Sequence, residues 1–287
     1  MKLKIKPFTL TLRGKELVID HTLIMGIVNV TPDSFYSASR TFDTDSLERR
    51  VEQMVSDGVD IFDLGAYSTR PGADVVSSEE ELRRLRKGVE VVKRLAPDIP
   101  ISIDTFRASV AQTCVEELGA DIINDVSGGT LDADMAYTMG RLDVPYVLMH
   151  MRGNPATMQQ LTDYPGGVVN DVLDDLKNKM KLFRGHGCSQ VIIDPGFGFS
   201  KTLHQNYELM NGLSEFHQLG APILVGISRK SMIFRLLGTS PAESLEGTTV
   251  LNTVSMLAGC HILRVHDVRA AVEARAILQE LESASAM

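Results

Sequence analysis

An α/β chain closed into a (β/α)8 TIM barrel, with a short N-terminal β-hairpin, is the fold this sequence predicts. Three observations predict it. The 287 residues exceed a small domain but suit one barrel, which commonly takes about 250 residues. Eight short apolar runs alternate with stretches of helical period, as parallel βαβ units do. A polar residue stands at or just beyond the end of every run, and a barrel gathers such strand ends on one rim. A doubly wound open sheet shares the alternation, but eight strands each followed by a helix favour closure.

The hairpin, within residues 1–20, pairs Phe8 to Leu12 with Glu16 to Ile19 across Arg13-Gly14-Lys15. Barrel strands are expected at Leu23 to Val28, Ile61 to Leu64, Ile99 to Ile103 and Ile122 to Asn124. Four more follow at Tyr146 to Met149, Val191 to Ile193, Ile223 to Gly226 and Ile262 to Val265. Leu47, Val51, Met54 and Val55 mark the first crossover helix, which starts near Asp45 and stops at Gly58. Ser78, with Glu81 three residues on, reads as a capping box for the second helix, whose apolar face is Leu82, Leu85, Val89 and Val92. Further helices are placed near 106–118, 131–141, 168–184, 203–219, 243–258 and 268–283; Ser240-Pro241-Ala242-Glu243 supplies a cap for the one near 243. No Pro/Ser-rich linker, low-complexity tract or change of composition divides the chain, so residues 1–287 are read as one domain.

At 44% hydrophobic and 23% charged residues, the chain can bury a substantial core. Its 29 basic against 37 acidic residues leave a net charge of -8, which argues against a nucleic-acid or anionic-membrane surface. Any anion must therefore meet locally gathered cations. Cys114, Cys188 and Cys260 are odd in number, far apart and without metal-type spacing, so a reducing cytoplasm is expected rather than a disulfide framework. Lys2 to Lys6 alternate with apolar residues, unlike a signal peptide, and no run of about 18 apolar residues occurs. Neither secretion nor membrane insertion is expected.

The strand-end residues are Asn29, Asp63, Asp104, Asn124, His150, Asp194, Lys230 and Arg264. Taken singly, each also reads as a turn residue or a helix cap; together they outline a pocket. Asp194, on the glycine-rich turn Asp194-Pro195-Gly196-Phe197-Gly198-Phe199, is suited to accept two parallel N–H bonds from an aminopyrimidine-like edge. Asn124 has a donor and an acceptor for the adjoining edge. Asp104 offers another acceptor, or else caps the helix starting near Phe106. Gly226-Ile227-Ser228-Arg229-Lys230-Ser231 and Arg264-Val265-His266-Asp267 follow the seventh and eighth strands, where barrels often bind phosphate. Arg229 and Arg269 also read as surface salt-bridge partners. Two long loops, 31–44 and 66–77, have the length of lids, or of plain surface loops.

These motifs resemble the dihydropteroate synthase family. The resemblance lies in Asn-Val-Thr-Pro-Asp-Ser-Phe at 29–35, Ser-Thr-Arg-Pro-Gly at 68–72, Ser-Ile-Asp-Thr at 102–105 and Ile-Asn-Asp-Val-Ser-Gly-Gly at 123–129. It continues in Met-His-Met-Arg-Gly at 149–153, Asp-Pro-Gly-Phe-Gly-Phe at 194–199, Gly-Ile-Ser-Arg-Lys-Ser at 226–231 and Arg-Val-His-Asp at 264–267. What it implies is a pterin ring held by Asp104, Asn124, Asp194 and Lys230, with Met149 and Phe199 lining the slot. Thr69, Arg264 and His266 would hold the diphosphate, and Asn29 would contact Mg2+ brought in with substrate. Phe35, Arg70, Pro71 and Ser228 resemble the p-aminobenzoate pocket. The family also implies a homodimer, through late helices. Tyr67 and Ser200 depart from the family's commonest residues, an acid and a glycine.

The reaction implied is a substitution with dissociative character, in which diphosphate leaves the pterin methylene and the arylamine attacks. Mg2+, Arg264 and His266 would meet the leaving charge, while Asp33 and Asp104 would stabilise the cationic ring. A folate-dependent methyl transfer to a corrinoid protein and a silent pterin-binding protein are the other readings. The first needs no arylamine pocket, and the second needs none of Asp33, Arg70, Lys230 and Arg264.

Overall fold

Strands β1 (Phe8–Leu12) and β2 (Lys15–Ile19) form an antiparallel hairpin. Arg13 and Gly14 both take positive φ, 49° and 85°, as a two-residue primed turn requires. The computed structural model describes residues 5–30, 44–67 and 76–284. Within them β3 (Leu23–Asn29), α1 (Thr44–Ser56), β4 (Ile61–Gly65), α2 (Ser78–Leu95), β5 (Ile101–Asp104) and α3 (Ala108–Glu116) begin the repeat. It continues with β6 (Ile122–Asp125), α4 (Met135–Leu142), β7 (Tyr146–Met149), α5 (Val168–Gly185), β8 (Val191–Asp194) and α6 (Leu203–Asn211). Strand β9 (Leu224–Val225) leads to α7 (Ser231–Leu237) and α8 (Leu245–Leu257), and β10 (Ile262–Val265) to α9 (Val268–Ala284).

The eight strands β3 to β10 are parallel and ordered β8-β7-β6-β5-β4-β3-β10-β9. Ile193 N donates to Pro222 O at 2.9 Å, and Ile193 bridges Ile223, so the two ends of the sheet meet and the barrel closes. The outer core lies between strands and helices, where Phe62, Leu64, Ile103, Ile123 and Leu148 pack with helical residues such as Leu47, Met54 and Leu85. Inside, Met25, Ile61, Ile122, Val147, Ile192 and Ile262 form an apolar layer, and Leu10, Leu12 and Ile19 of the hairpin cluster with them. The hairpin thus plugs the barrel floor.

Side chains of a strand repeat their facing every two residues. Two positions beyond that layer stand Asp63 after Ile61, Asn124 after Ile122, Met149 after Val147, Asp194 after Ile192 and Arg264 after Ile262. One strand step therefore carries the interior from an apolar plug to a polar mouth.

Helix ends show where local signals compete. The second helix is capped by Ser77, not Ser78: Ser77 has extended backbone and its Oγ accepts from Glu80 N at 3.2 Å. Both serines have a glutamate three residues on, and tertiary contacts choose between them, because Glu81 is buried, accepts from Thr105 Oγ1 at 2.7 Å and pairs with Arg107. The Ser240–Glu243 box is present but closes a 3-10 turn, Pro241–Glu243, before α8. The segment expected as one helix over 203–219 breaks at Gly212 into α6 and a 3-10 stretch, and α7 is an additional helix. No helix among the described residues is long and apolar enough to cross a membrane.

Candidate active site

Parallel register places the strand ends side by side: Asn29 beside Gly65, Gly65 beside Asp104, Asp104 beside Asn124, and Met149 beside Asp194. At the centre is Asp63, fully buried, which accepts from Ser102 Oγ at 2.7 Å, Asn124 Nδ2 at 3.1 Å and Arg264 Nε at 2.6 Å. Arg264 Nη2 donates to Asp104 Oδ2 at 2.6 Å, so one guanidinium on β10 bridges the carboxylates of β4 and β5. Burial opposes the guanidinium's charge, but Asp63 and Asp104 outweigh it and hold its pKa above the ordinary arginine value. Burial raises the Asp104 carboxyl to about 7 against the pull of Arg264, with Asp63, Asp125 and Glu81 adding to the rise. Asn124 gives one amide hydrogen to Asp63, which leaves its Oδ1 and its second N–H for a ligand.

Asp104 is not a helix cap. The helix after it starts at Ala108, whose N–H donates to Asp132 Oδ2 at 2.8 Å, so that cap arrives from another loop.

Asp194 is buried, and its Oδ1 accepts from Gly196 N at 2.8 Å. Burial raises its pKa, and the charges of Lys230, Arg264 and Lys201 oppose the rise. Two glycines let this turn close up: a Cβ on Gly196 (φ 73°) would lie 2.0 Å from His150 O, and one on Gly198 (φ 81°) 3.1 Å from Lys230 Cδ. Lys230 Nζ donates to Phe197 O at 2.5 Å and sits 4.6 Å from the centre of the Phe199 ring. Burial lowers Lys230 to about 8, although Asp194 pulls it upward. Phe199 also packs on the buried apolar group of Val126, Met149, Met151 and Met158, which makes one flat apolar wall of the mouth.

Beside it, Ser228 Oγ accepts from His266 N at 3.1 Å and lies 3.1 Å from His266 Nδ1. Burial, with the charge of Arg264, lowers His266 to about 4, so its imidazole is uncharged at neutral pH. Arg229 forms a two-pronged pair with Asp267 at 2.8 Å on each arm, which ties the two cation-bearing loops together. Arg50 donates to the His266 carbonyl. For Arg229 and Arg269 the salt-bridge reading holds, since Arg269 pairs with Glu273 at 2.8 Å.

The structure thus brings Asp104, Asn124, Met149, Asp194, Phe199, Lys230, Arg264, Ser228 and His266 to one end of the barrel, with Asn29 exposed at the end of β3. Asp33, Phe35, Thr69, Arg70 and Pro71 lie outside the described residues, as do 31–43 and 68–75 of the two expected lids. The sequence places Asp63 among the rim residues but assigns it no partner or ligand, although its spacing from Ile61 points it inward; Lys201 carries no such signal. Tyr67, one of the two departures, meets Phe106 edge-to-face at 5.2 Å and Arg107 at 5.3 Å. Ser200, the other, has φ 55°, a conformation that favours glycine. Its Oγ accepts from Arg152 N at 2.9 Å and donates to Arg152 O at 3.0 Å, which offsets the backbone strain. Ser200→Ala, which loses both bonds and keeps the strain, should cost about 2 kcal/mol in urea unfolding, and Ser200→Gly about 1 kcal/mol. Equal losses would refute this account.

Fold and site together define a barrel of the pterin-binding class, and residues 25–266 match the family described as "Pterin binding enzyme". Dihydropteroate synthase of Clostridium beijerinckii is 42% identical over 254 residues, 87% of this chain and 90% of that protein. Among solved structures, the dihydropteroate synthase of Thermus thermophilus in complex with 4-aminobenzoate is 39% identical with a TM-score of 0.84, covering 96% of this chain and 100% of that one. The Yersinia pestis enzyme with a sulfonamide drug is 35% identical with a TM-score of 0.88, over 96% and 100% of the two chains. The chain belongs to the dihydropteroate synthase family.

Proposed function

We propose that the residues gathered at this barrel mouth carry out the family's reaction, the condensation of 6-hydroxymethyl-7,8-dihydropterin diphosphate with p-aminobenzoate to 7,8-dihydropteroate and diphosphate. The observation that carries the proposal is the convergence of Asp104, Asn124, Asp194, Lys230 and Arg264 on one rim, with acids and an amide beside a flat apolar wall and cations next to them. Asp194 receives the paired N–H donors of the aminopyrimidine, Asn124 and Lys230 take the adjoining edge, and Met149 and Phe199 line the slot for the ring. Arg264 and His266, with Thr69, hold the diphosphate; Phe35, Arg70, Pro71 and Ser228 line the arylamine pocket.

The bond from the pterin methylene to diphosphate oxygen breaks with its electron pair leaving on diphosphate. The arylamine nitrogen then bonds to the methylene carbon and sheds a proton. Arg264 and His266 stabilise the departing charge, and Asp104 and Asp33 the cationic ring, Asp33's share resting on the family resemblance. No protein nucleophile is required.

Among the described residues no three His, Cys, Asp or Glu side chains gather to cage a metal ion. A single amide oxygen at the mouth, that of Asn29, fits an ion that keeps most of its waters and takes its other ligands from phosphate. Mg2+, the family's metal, would supply Lewis acidity to the leaving oxygens when bound there. A homodimer through the late helices belongs to the same reading, supported by Val250 and Val254 one turn apart on α8 and Ile277 on α9, all exposed. The three buried, free cysteines support a reducing, cytoplasmic setting.

Purified protein given the pterin diphosphate, Mg2+ and p-aminobenzoate should form dihydropteroate, with diphosphate release dependent on the arylamine. The value of kcat/KM for the pterin substrate should fall as pH rises through about 8, where Lys230 loses its charge in the free enzyme. Folded protein that forms no product would end the proposal.

A further inference from the structure

The turn after β8 carries a lysine with no task in the reaction. Lys201 is 4% exposed, and its Nζ donates to Gly196 O at 2.9 Å and Phe199 O at 3.0 Å and lies 3.0 Å from His150 Nδ1. Three acceptors use all three ammonium hydrogens. They also set the tautomer of His150: Nδ1 accepts, so Nε2 bears the hydrogen, buried and without a partner among the described residues. Burial, aided by the charges of Lys201, Lys179 and Arg152, keeps this imidazole uncharged. Lys230 grips the Phe197 carbonyl of the same turn, so two lysines hold three carbonyls of one short segment. No carboxylate forms an ion pair with Lys201 among the described residues; burial pushes its pKa well below the ordinary lysine value, and the charge that most opposes this is that of Asp194, so its ammonium is favoured as pH falls.

We propose that Lys201 is a positioning residue for the pterin subsite: it fixes the turn that presents Phe199 and anchors Asp194, and it adds a buried positive charge to those of Lys230 and Arg264 at the Asp194 carboxylate. This rests on the assignment of Asp194 and Phe199 to the pterin. The groups facing Asp194 are Lys230, Arg264, Lys201 and the Gly196 N–H; those facing Lys201 are Asp194, Lys230, Arg152, Asp175 and His150. Burial alone drives Asp194 towards its protonated form, and each cation opposes that. With the Lys201 charge removed, Asp194 takes up its proton at higher pH. Its protonated form cannot accept both pterin N–H groups, so binding is lost earlier on acidification.

The test is calorimetric titration of the full-length enzyme with the pterin diphosphate and Mg2+, without arylamine, over a pH series. Lys201→Met should weaken binding about tenfold and move its acid limb up by about one pH unit. Lys201→Gln, which keeps amide donors but no charge, should regain part of the affinity and show the same displaced limb. In both, KM for p-aminobenzoate should stay within about twofold, because that pocket is not built on this turn. An unmoved acid limb in the folded variants overturns the proposal. Unfolding of both variants also overturns it, since Lys201 would then support the barrel rather than the site. Asp194→Asn separates the two layers: if it binds pterin normally, the site assignment fails; if it loses pterin while the Lys201 variants keep a normal limb, only the role of Lys201 fails.

Discussion

Lys230→Ala is expected to lower kcat/KM for the pterin diphosphate by about a hundredfold, roughly 3 kcal/mol of lost stabilisation, with little change in thermal stability. Lys230 Nζ is bonded to the Phe197 carbonyl at 2.5 Å, lies over the Phe199 ring and is drawn by the Asp194 charge. Its removal loosens the turn, strips Asp194 of a cation and takes away a donor for the pterin edge. Lys230→Arg should not rescue the activity. The space is tight, with Cδ 3.1 Å from where a Cβ on Gly198 would lie, and a planar fork cannot replace a compact ammonium there. Steady-state kinetics with both substrates varied is the check. A variant of wild-type kcat/KM would remove Lys230 from the site.

How far this site is legible in the chain follows from the period of a strand. Eight apolar runs with polar ends are enough to place Asn124, Asp194 and Arg264 on one rim, because parallel strands of a closed barrel share one polarity. The same two-residue step would have turned Asp63 inward from Ile61, but nothing in the sequence says that it joins Arg264, 201 residues away. Lys201 was illegible for a related reason. A lysine after a glycine-rich turn reads as a surface residue until the fold buries it against His150 and two carbonyls. Local signals failed where two were equally good. Ser77 and Ser78 both qualify as caps, and the burial of Glu81 against Thr105 and Arg107, a contact between distant segments, selects Ser77. The arylamine pocket divides along the same line: Ser228 is fixed by His266, while Phe35, Arg70 and Pro71 fall outside the described residues and rest on the family resemblance.

Arg264→Met should be the most damaging single change to both fold and activity. The guanidinium bonds Asp63 and Asp104 at 2.6 Å each, and Asp63 is fully buried, so the variant leaves two neighbouring carboxylates without their cation. Breaking a buried pair in this way costs about 3–5 kcal/mol. The cost should depend on pH, and its sign is determinate. Burial already holds Asp104 at about 7 with Arg264 in place, and losing Arg264 raises it further. Wild type and variant both hold, when folded, a proton that the unfolded chain releases near pH 4, so both lose stability as pH rises to about 7; only the variant goes on losing it above that, up to its higher folded value. Urea unfolding should therefore show a larger loss at about pH 8 than at about pH 5. A pH-independent loss would mean that packing, not charge, is what Arg264 contributes. Activity should not recover with the protonated fold at low pH, because the diphosphate loses the same cation that Asp63 and Asp104 share.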